Sequence, residues 1–156
     1  MKQIVELLIK NHKTISTMES CTGGGVANAI TSIEGASEIL KFSAVTYSNE
    51  FKIKMGVSEE VINKYSVYSA ETADEMSKNI SLFTNSDYGV GITGKLNRVD
   101  INNPYGEDNV VFISIYIKEN DSYIKEKVEA TASSRAENKL LVIEKVKELL
   151  LKQLNN

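Results

Sequence analysis

The sequence contains one histidine, one cysteine and one proline, and each scarcity excludes something. A Ser-His or Cys-His catalytic pair would need His12 beside Ser20 or Cys21. His12 instead stands at the end of the first predicted helix and reads as a surface residue. The usual histidine and cysteine ligands of zinc are nearly missing, so no metal site is expected. With Cys21 alone there is no internal disulfide, which fits a reducing compartment. An excess of positive charge is also missing. Lys and Arg number 18 against 21 Asp and Glu, a net charge of −3, which argues against a nucleic-acid partner held through phosphates. No apolar run approaches membrane-spanning length, and the opening MKQIVELLIKNHK is too polar for a signal peptide. The expectation is a cytoplasmic protein with neither a membrane nor a nucleic-acid partner.

What is present suits one soluble domain over residues 1–156. Apolar residues make up 42% and charged residues 25% of the chain, enough to bury a core. The most informative stretch is Ser16–Thr31. An apolar run over Thr14–Met18 reads as a strand and breaks at Glu19-Ser20-Cys21-Thr22. Gly23, Gly24 and Gly25 follow, and a helical pattern then begins. Glycines permit a sharp turn and close approach, and a helix start presents free N–H groups that favour negative charge. A hydroxyl, a thiol and N–H donors thus meet at one strand end. That suits phosphate binding or an acyl-transfer nucleophile with an oxyanion hole. A tight turn that only packs would use the same residues.

Along the chain, Lys2–Lys10 has the spacing of an amphipathic helix. Helix two covers Gly23–Ser32, Ile33–Glu38 reads as a loop, and Phe42–Tyr47 is strand two. Asn49–Lys54 is a short helix, and Ser58 and Ser69 cap two more. Asp87–Thr93 is strand three, weakened by Gly89 and Gly91. Gly94–Asn109, with Pro104, is a loop long enough to be functional or mobile. Val110–Ile117 is a central strand. Ser122–Ala130 is an edge strand guarded by Lys125 and Lys127. Ser133 or Ser134 caps the last helix, Arg135–Leu151. The order α-β-α-β-α-α-α-β-β-β-α predicts an α/β fold with five strands, parallel early and closed by a hairpin.

Without histidine, a lysine kept neutral by burial is the next candidate to activate Ser20. Ligands in open α/β sheets bind beyond the carboxyl ends of parallel strands. Strand one ends at Ser20 and strand two at Tyr47, with Lys52 one helical turn beyond Asn49. Spacing alone leaves Lys52 and Lys54 as a solvated helix face and Tyr47 as a core residue.

Glu19-Ser20-Cys21-Thr22-Gly23-Gly24 followed by Thr46-Tyr47-Ser48-Asn49-Glu50-x-Lys52 resembles the C-terminal domain of the competence/damage-inducible CinA proteins. That family includes stand-alone nicotinamide-nucleotide amidases. Met55-Gly56-Val57, the Ser69 to Glu75-Met76 helix start, Gly91-Ile92-Thr93-Gly94 and Arg135 with Lys139 are similar to later family motifs. No counterpart of the CinA N-terminal domain lies in the sequence, so the stand-alone form is the expectation.

The resemblance implies a three-layer α/β/α sandwich around a five-stranded mixed, mostly parallel sheet. It implies deamidation of nicotinamide mononucleotide to nicotinic acid mononucleotide and ammonia, without metal or cofactor, in a homodimer. By the same resemblance Ser20 is the nucleophile, Lys52 its general base, and Tyr47 assists orientation or proton transfer. Cys21, Thr22, Gly23, Gly24, Asn49, Thr93 and Gly94 would line the substrate site. Arg135 and Lys139 would hold the phosphate, or else are exposed charges at a helix start. Cys21 competes with Ser20 on intrinsic reactivity.

Two departures stand out. Lys95-Leu96-Asn97-Arg98-Val99-Asp100 replaces the family's Gly-Pro-Gly loop, so the pocket wall should be reshaped, with Lys95 or Arg98 available as a substitute charge. Ser133-Ser134 replaces a Gly-Asp. Three readings therefore stand: an amidase, a nucleotide-binding module without turnover, and a protein-interaction domain.

Overall fold

The structure, a computed structural model, describes residues 1–155. Seven helices and five strands follow in the order α1 (Lys2–Lys10), β1 (Ile15–Glu19), α2 (Gly25–Thr31), α3 (Ala36–Ile39), β2 (Leu40–Val45), α4 (Asn49–Lys54), α5 (Glu59–Tyr65), α6 (Ala70–Thr84), β3 (Tyr88–Gly94), β4 (Val110–Ile117), β5 (Ser122–Glu129) and α7 (Arg135–Leu154). The segment read as a loop at Ile33–Glu38 is instead half helix. Gly35, at φ +84°, starts α3, whose Ala36 and Ile39 are buried.

The sheet order is β2-β1-β3-β4-β5. β1 pairs in parallel with both β2 and β3, and β4 runs antiparallel to β3 and β5. Every residue of β1 and β3 is buried, whereas β2 and β5, the two edges, are partly exposed. On one face α1, α2, α3 and α7 pack together. Their Ile4, Val5, Leu8, Val26, Ile30, Val142, Val146 and Leu150 join Ile15, Val90, Ile92 and Ile115 in the larger core. Each such side chain contributes about 1.5–3 kcal/mol by leaving water. The opposite face carries α5 and α6 over Met18, Val57, Ile62, Val67, Met76 and Ile80. The result is the expected three-layer sandwich around a mixed sheet.

Local chemistry sets the helix starts. Ser48, Ser58 and Ser69 each accept a backbone N–H at the N-terminus of α4, α5 and α6, replacing a bond the helix cannot make internally. Ser134, rather than Ser133, caps α7. It forms a reciprocal capping box with Glu137.

Gly89 and Gly91, which weaken a strand assignment from sequence, are there because α6 lies directly on β3. A Cβ at Gly91 would stand 2.3 Å from the Ala73 carbonyl oxygen, and one at Gly89 would stand 1.9 Å from that of Ser77. Both obstacles are backbone, so neither can swing aside. Gly91→Ala should therefore cost about 2–3 kcal/mol or more, in the range of core overpacking. Chemical denaturation is the check, and an unchanged midpoint would mean that α6 does not press on the sheet as described.

Candidate functional site

The chain leaves β1 for β2 on one side and then crosses to β3 on the other, so β1 ends at a topological switch point. Strand register fixes the neighbours there. Glu19 pairs with Val45 and with Ile92. The next amide, Ser20 N–H, donates to the Ile92 carbonyl at 3.0 Å, and Thr46 N–H donates to the Glu19 carbonyl at 2.9 Å. Ser20 is thereby held between the ends of β2 and β3.

The chain then turns through Gly23 and Gly24, at φ +61° and +87°, which is left-handed backbone that side-chain-bearing residues rarely adopt. Glu19 locks this turn. Its fully buried carboxylate accepts the Val26 N–H at 3.1 Å, the Ala27 N–H at 2.9 Å and the Thr22 hydroxyl at 2.6 Å. A carboxylate is a favourable partner for a helix N-terminus. The start of α2 is thus occupied by the protein's own anion, and it is not the open N–H cradle its glycines suggest. The sequence reading gave Glu19 no role. The available signal was a carboxylate at the end of a buried strand, directly before a glycine turn.

Lys52 comes from α4. Its side chain folds under the end of β2, with the residue only 2% exposed. Its Nζ lies 3.1 Å from Ser20 Oγ and donates to the Thr46 carbonyl at 2.7 Å. Burial penalises the ammonium form and brings the Lys52 pKa down to about 8, against smaller opposing effects from Cys21 and Asp100. About half of this amine is neutral near pH 8 and about a tenth at pH 7. One N–H then remains on Thr46, and the nitrogen lone pair is free for the Ser20 proton.

Cys21 is adjacent but differently placed. Its thiol is buried, and burial pushes it up to about 12. A thiolate is scarce under those conditions.

Ser20, Cys21, Tyr47, Asn49, Gly94 and Arg135 line a crevice of about 530 Å³, together with Tyr68, Arg98, Asp100 and Asn103. Tyr47 is 64% exposed. Its hydroxyl accepts from Arg135 Nη2 at 2.8 Å, while Arg135 Nη1 donates to the Leu96 carbonyl at 2.6 Å. Tyr47 thus belongs to the rim, and it is neither in the core nor hydrogen-bonded to Ser20 or Lys52 among the described residues.

Thr22, Gly23, Gly24 and Thr93 fall outside the lining. Thr93 is fully buried and donates to the Val67 carbonyl at 2.8 Å. Lys139, one turn beyond Arg135 on α7, lines another groove with Gly25, Ala29, Leu140 and Ile143, and its Nζ stands beside Gly23.

The long 95–109 loop is folded around one charge. Lys95, 4% exposed, donates to the carbonyls of Pro104 and Gly106 and to Asp108 Oδ1 at 3.2–3.4 Å. Arg98 is exposed and faces the crevice. Of the two substitute charges, Lys95 is an internal staple and Arg98 is the one open to a ligand. The loop also ties back to the site, because Asn49 Nδ2 donates to Asn103 Oδ1 at 2.7 Å.

A family model described as the CinA C-terminal domain matches residues 1–154, and the chain belongs to that family. A CinA-like protein of Endomicrobium trichonymphae is 48% identical over 89 residues, covering 56% of this chain and 21% of that protein. A putative competence-damage inducible protein of Clostridium beijerinckii is 40% identical over 118 residues, covering 74% and 28%. The chain thus spans about a quarter of the length of these curated relatives. Among solved structures, the competence/damage inducible protein CihA of Agrobacterium tumefaciens superposes with a TM-score of 0.84 at 25% identity, over 99% of this chain and 95% of that one. A CinA-superfamily protein of Klebsiella pneumoniae gives 0.89 at 19% identity over 99% and 94%, which speaks for the shared fold alone.

Ser20 and Cys21 are adjacent candidates in different surroundings. Cys21→Ala should retain activity within about threefold, because a buried thiol near pKa 12 supplies almost no thiolate. Loss of turnover in a folded Cys21→Ala protein, read by any assay of the Ser20 site, would shift the nucleophile to sulfur.

Proposed function

We propose that this chain is an amidohydrolase that converts nicotinamide mononucleotide to nicotinic acid mononucleotide and ammonia, with Ser20 as nucleophile and Lys52 as general base. The observation that carries the reading is the buried Lys52 amine, 3.1 Å from Ser20 Oγ and with its pKa lowered to about 8. A lysine base needs a pKa near the working pH, and an ordinary surface lysine does not have one.

In the proposed reaction neutral Lys52 takes the Ser20 proton as Oγ attacks the carboxamide carbon. The tetrahedral intermediate collapses when the Lys52 ammonium protonates the amide nitrogen, which leaves as ammonia. An ester on Ser20 remains and Lys52 is neutral again. Lys52 then deprotonates a water that attacks the ester carbon, and it returns that proton to Oγ as the carboxylate product departs. Oxyanion stabilisation falls to backbone N–H groups after Ser20. The Gly23 and Gly25 N–H groups are already used by the Ser20 and Thr22 carbonyls, and those of Val26 and Ala27 by Glu19. The amides of Cys21 and Thr22 are the remaining donors next to the nucleophile. Arg135 and Arg98, both on the crevice wall, are the cations suited to the nucleotide phosphate. Tyr47 supports this role by orienting Arg135 through its hydroxyl. In this reading the substrate needs neither a metal nor a cofactor, and the protein works as a homodimer.

The test is ammonia release from nicotinamide mononucleotide by purified protein. Ser20→Ala and Lys52→Met should each lower kcat by roughly 10³-fold or more, and Lys52→Arg should not rescue, because guanidinium stays protonated. Since the active form is the neutral amine, kcat/KM should rise with pH and level off above about 8. Ammonia release no greater than in Ser20→Ala rejects the assignment, and a pH profile that falls through this range rejects the base. Calorimetric binding of the nucleotide without turnover would leave a binding module.

A further inference from the structure

One carboxylate, Asp100, lines the crevice among the described residues. Its three partners are all neutral. The Tyr68 hydroxyl and Asn103 Nδ2 (2.9 Å) donate to Oδ2, and the Asn102 N–H (2.9 Å) donates to Oδ1. The Tyr68 hydroxyl is the largest of the influences that hold its carboxyl below the usual range, so the group is ionised at neutral pH. It pairs with none of the cations around it. Lys95, whose Nζ lies 5.3 Å from the Tyr68 ring centroid, is committed to Asp108. Arg135 is committed to Leu96 and Tyr47. Arg98, two residues away, makes no ion pair among the described residues. The crevice therefore holds charges of both signs that do not neutralise one another, with an aromatic ring against the negative one. Such a wall suits a zwitterion in which a flat cation and an anion are joined by a short spacer.

We infer that Asp100, held by Tyr68 and Asn103, is a specificity residue that senses the positive charge of an N-alkylated pyridinium ring. This rests on the amidase reading above and adds to it that the site selects the cationic form of a nicotinamide nucleotide. The neutral-ring, dihydropyridine form has the same carboxamide, ribose and phosphate, and it is rejected for want of charge. The selection is electrostatic, because three of the carboxylate's four lone-pair positions already accept hydrogen bonds and an N-alkylated ring nitrogen has no N–H to donate, so the ring meets chiefly the field of Asp100. Asp100 lies in the loop that stands where the resemblance leads one to expect Gly-Pro-Gly.

Calorimetric titration of Ser20→Ala protein with nicotinamide mononucleotide and its reduced form tests this without turnover. The oxidised nucleotide should bind roughly tenfold tighter than the reduced one at low ionic strength. Asp100→Asn should bring the two to within about twofold while leaving the reduced form's affinity unchanged. Tyr68→Phe, which keeps the carboxylate, should preserve most of the preference. Equal affinities in the parent protein, or a preference that survives Asp100→Asn, overturn the role of Asp100 and leave the amidase assignment standing. Binding of neither nucleotide overturns the assignment itself, and the inference with it.

Discussion

A lysine amine buried against a serine hydroxyl is the constraint on which the rest of this site depends. Removing an ammonium from water is costly. Among the described residues, Lys52 has only the Thr46 carbonyl and the Ser20 hydroxyl as hydrogen-bond partners, and no carboxylate pairs with it. The cost is lowered by giving up the proton, which is also what the proposed role as a base requires. Lys95 provides the contrast within the same molecule. It is just as buried, but it has two carbonyls and Asp108 around it and acts as a staple. Two buried lysines thus serve different ends according to what surrounds the nitrogen.

The pairing of Lys52 with Ser20 needs precise placement, and the sheet supplies it. Ser20 is tied to Ile92 on one side, while Thr46 is tied to Glu19 on the other. The β1–β2 register therefore sets how far α4 stands from Ser20, and one residue of slip would invert every side chain along the strand. Glu19 completes the arrangement by clamping the α2 start behind the turn. On the far side, Asn103 binds both Asn49 and Asp100, which connects the long loop to the helix that carries Lys52. This chain closes its crevice with side-chain hydrogen bonds from the 95–109 loop.

Much of the fold was legible in the sequence because it follows from short-range rules. The strand at Val110–Ile117, the serine caps and the guarded edge at Lys125 and Lys127 are local signals. Gly89 and Gly91 weakened a strand assignment that holds, because the feature they serve, a helix backbone pressed on the strand, comes from another element. The Ser20 turn was conspicuous, but its pairing with Lys52 emerged from family resemblance. Spacing alone cannot distinguish a lysine that folds inward from one that extends into water. Residues whose settings depend on contacts distant in sequence were not legible for the same reason. Glu19 and Asp100 stood within motifs without a role of their own, Thr93 turns inward to Val67, and Lys139 lines a second groove.

Membership of the CinA C-terminal domain family and the matching sandwich establish the frame, while the chemistry rests on one nitrogen. Its protonation state can be observed directly. In protein labelled with ¹⁵N lysine, the Lys52 Nζ signal, assigned by its loss in Lys52→Met, can be followed through a pH titration. The account predicts a midpoint near pH 8, shifted when Ser20 is replaced by alanine. A midpoint above pH 10, as for a lysine in water, would contradict it, because such an amine could not accept the serine proton at physiological pH.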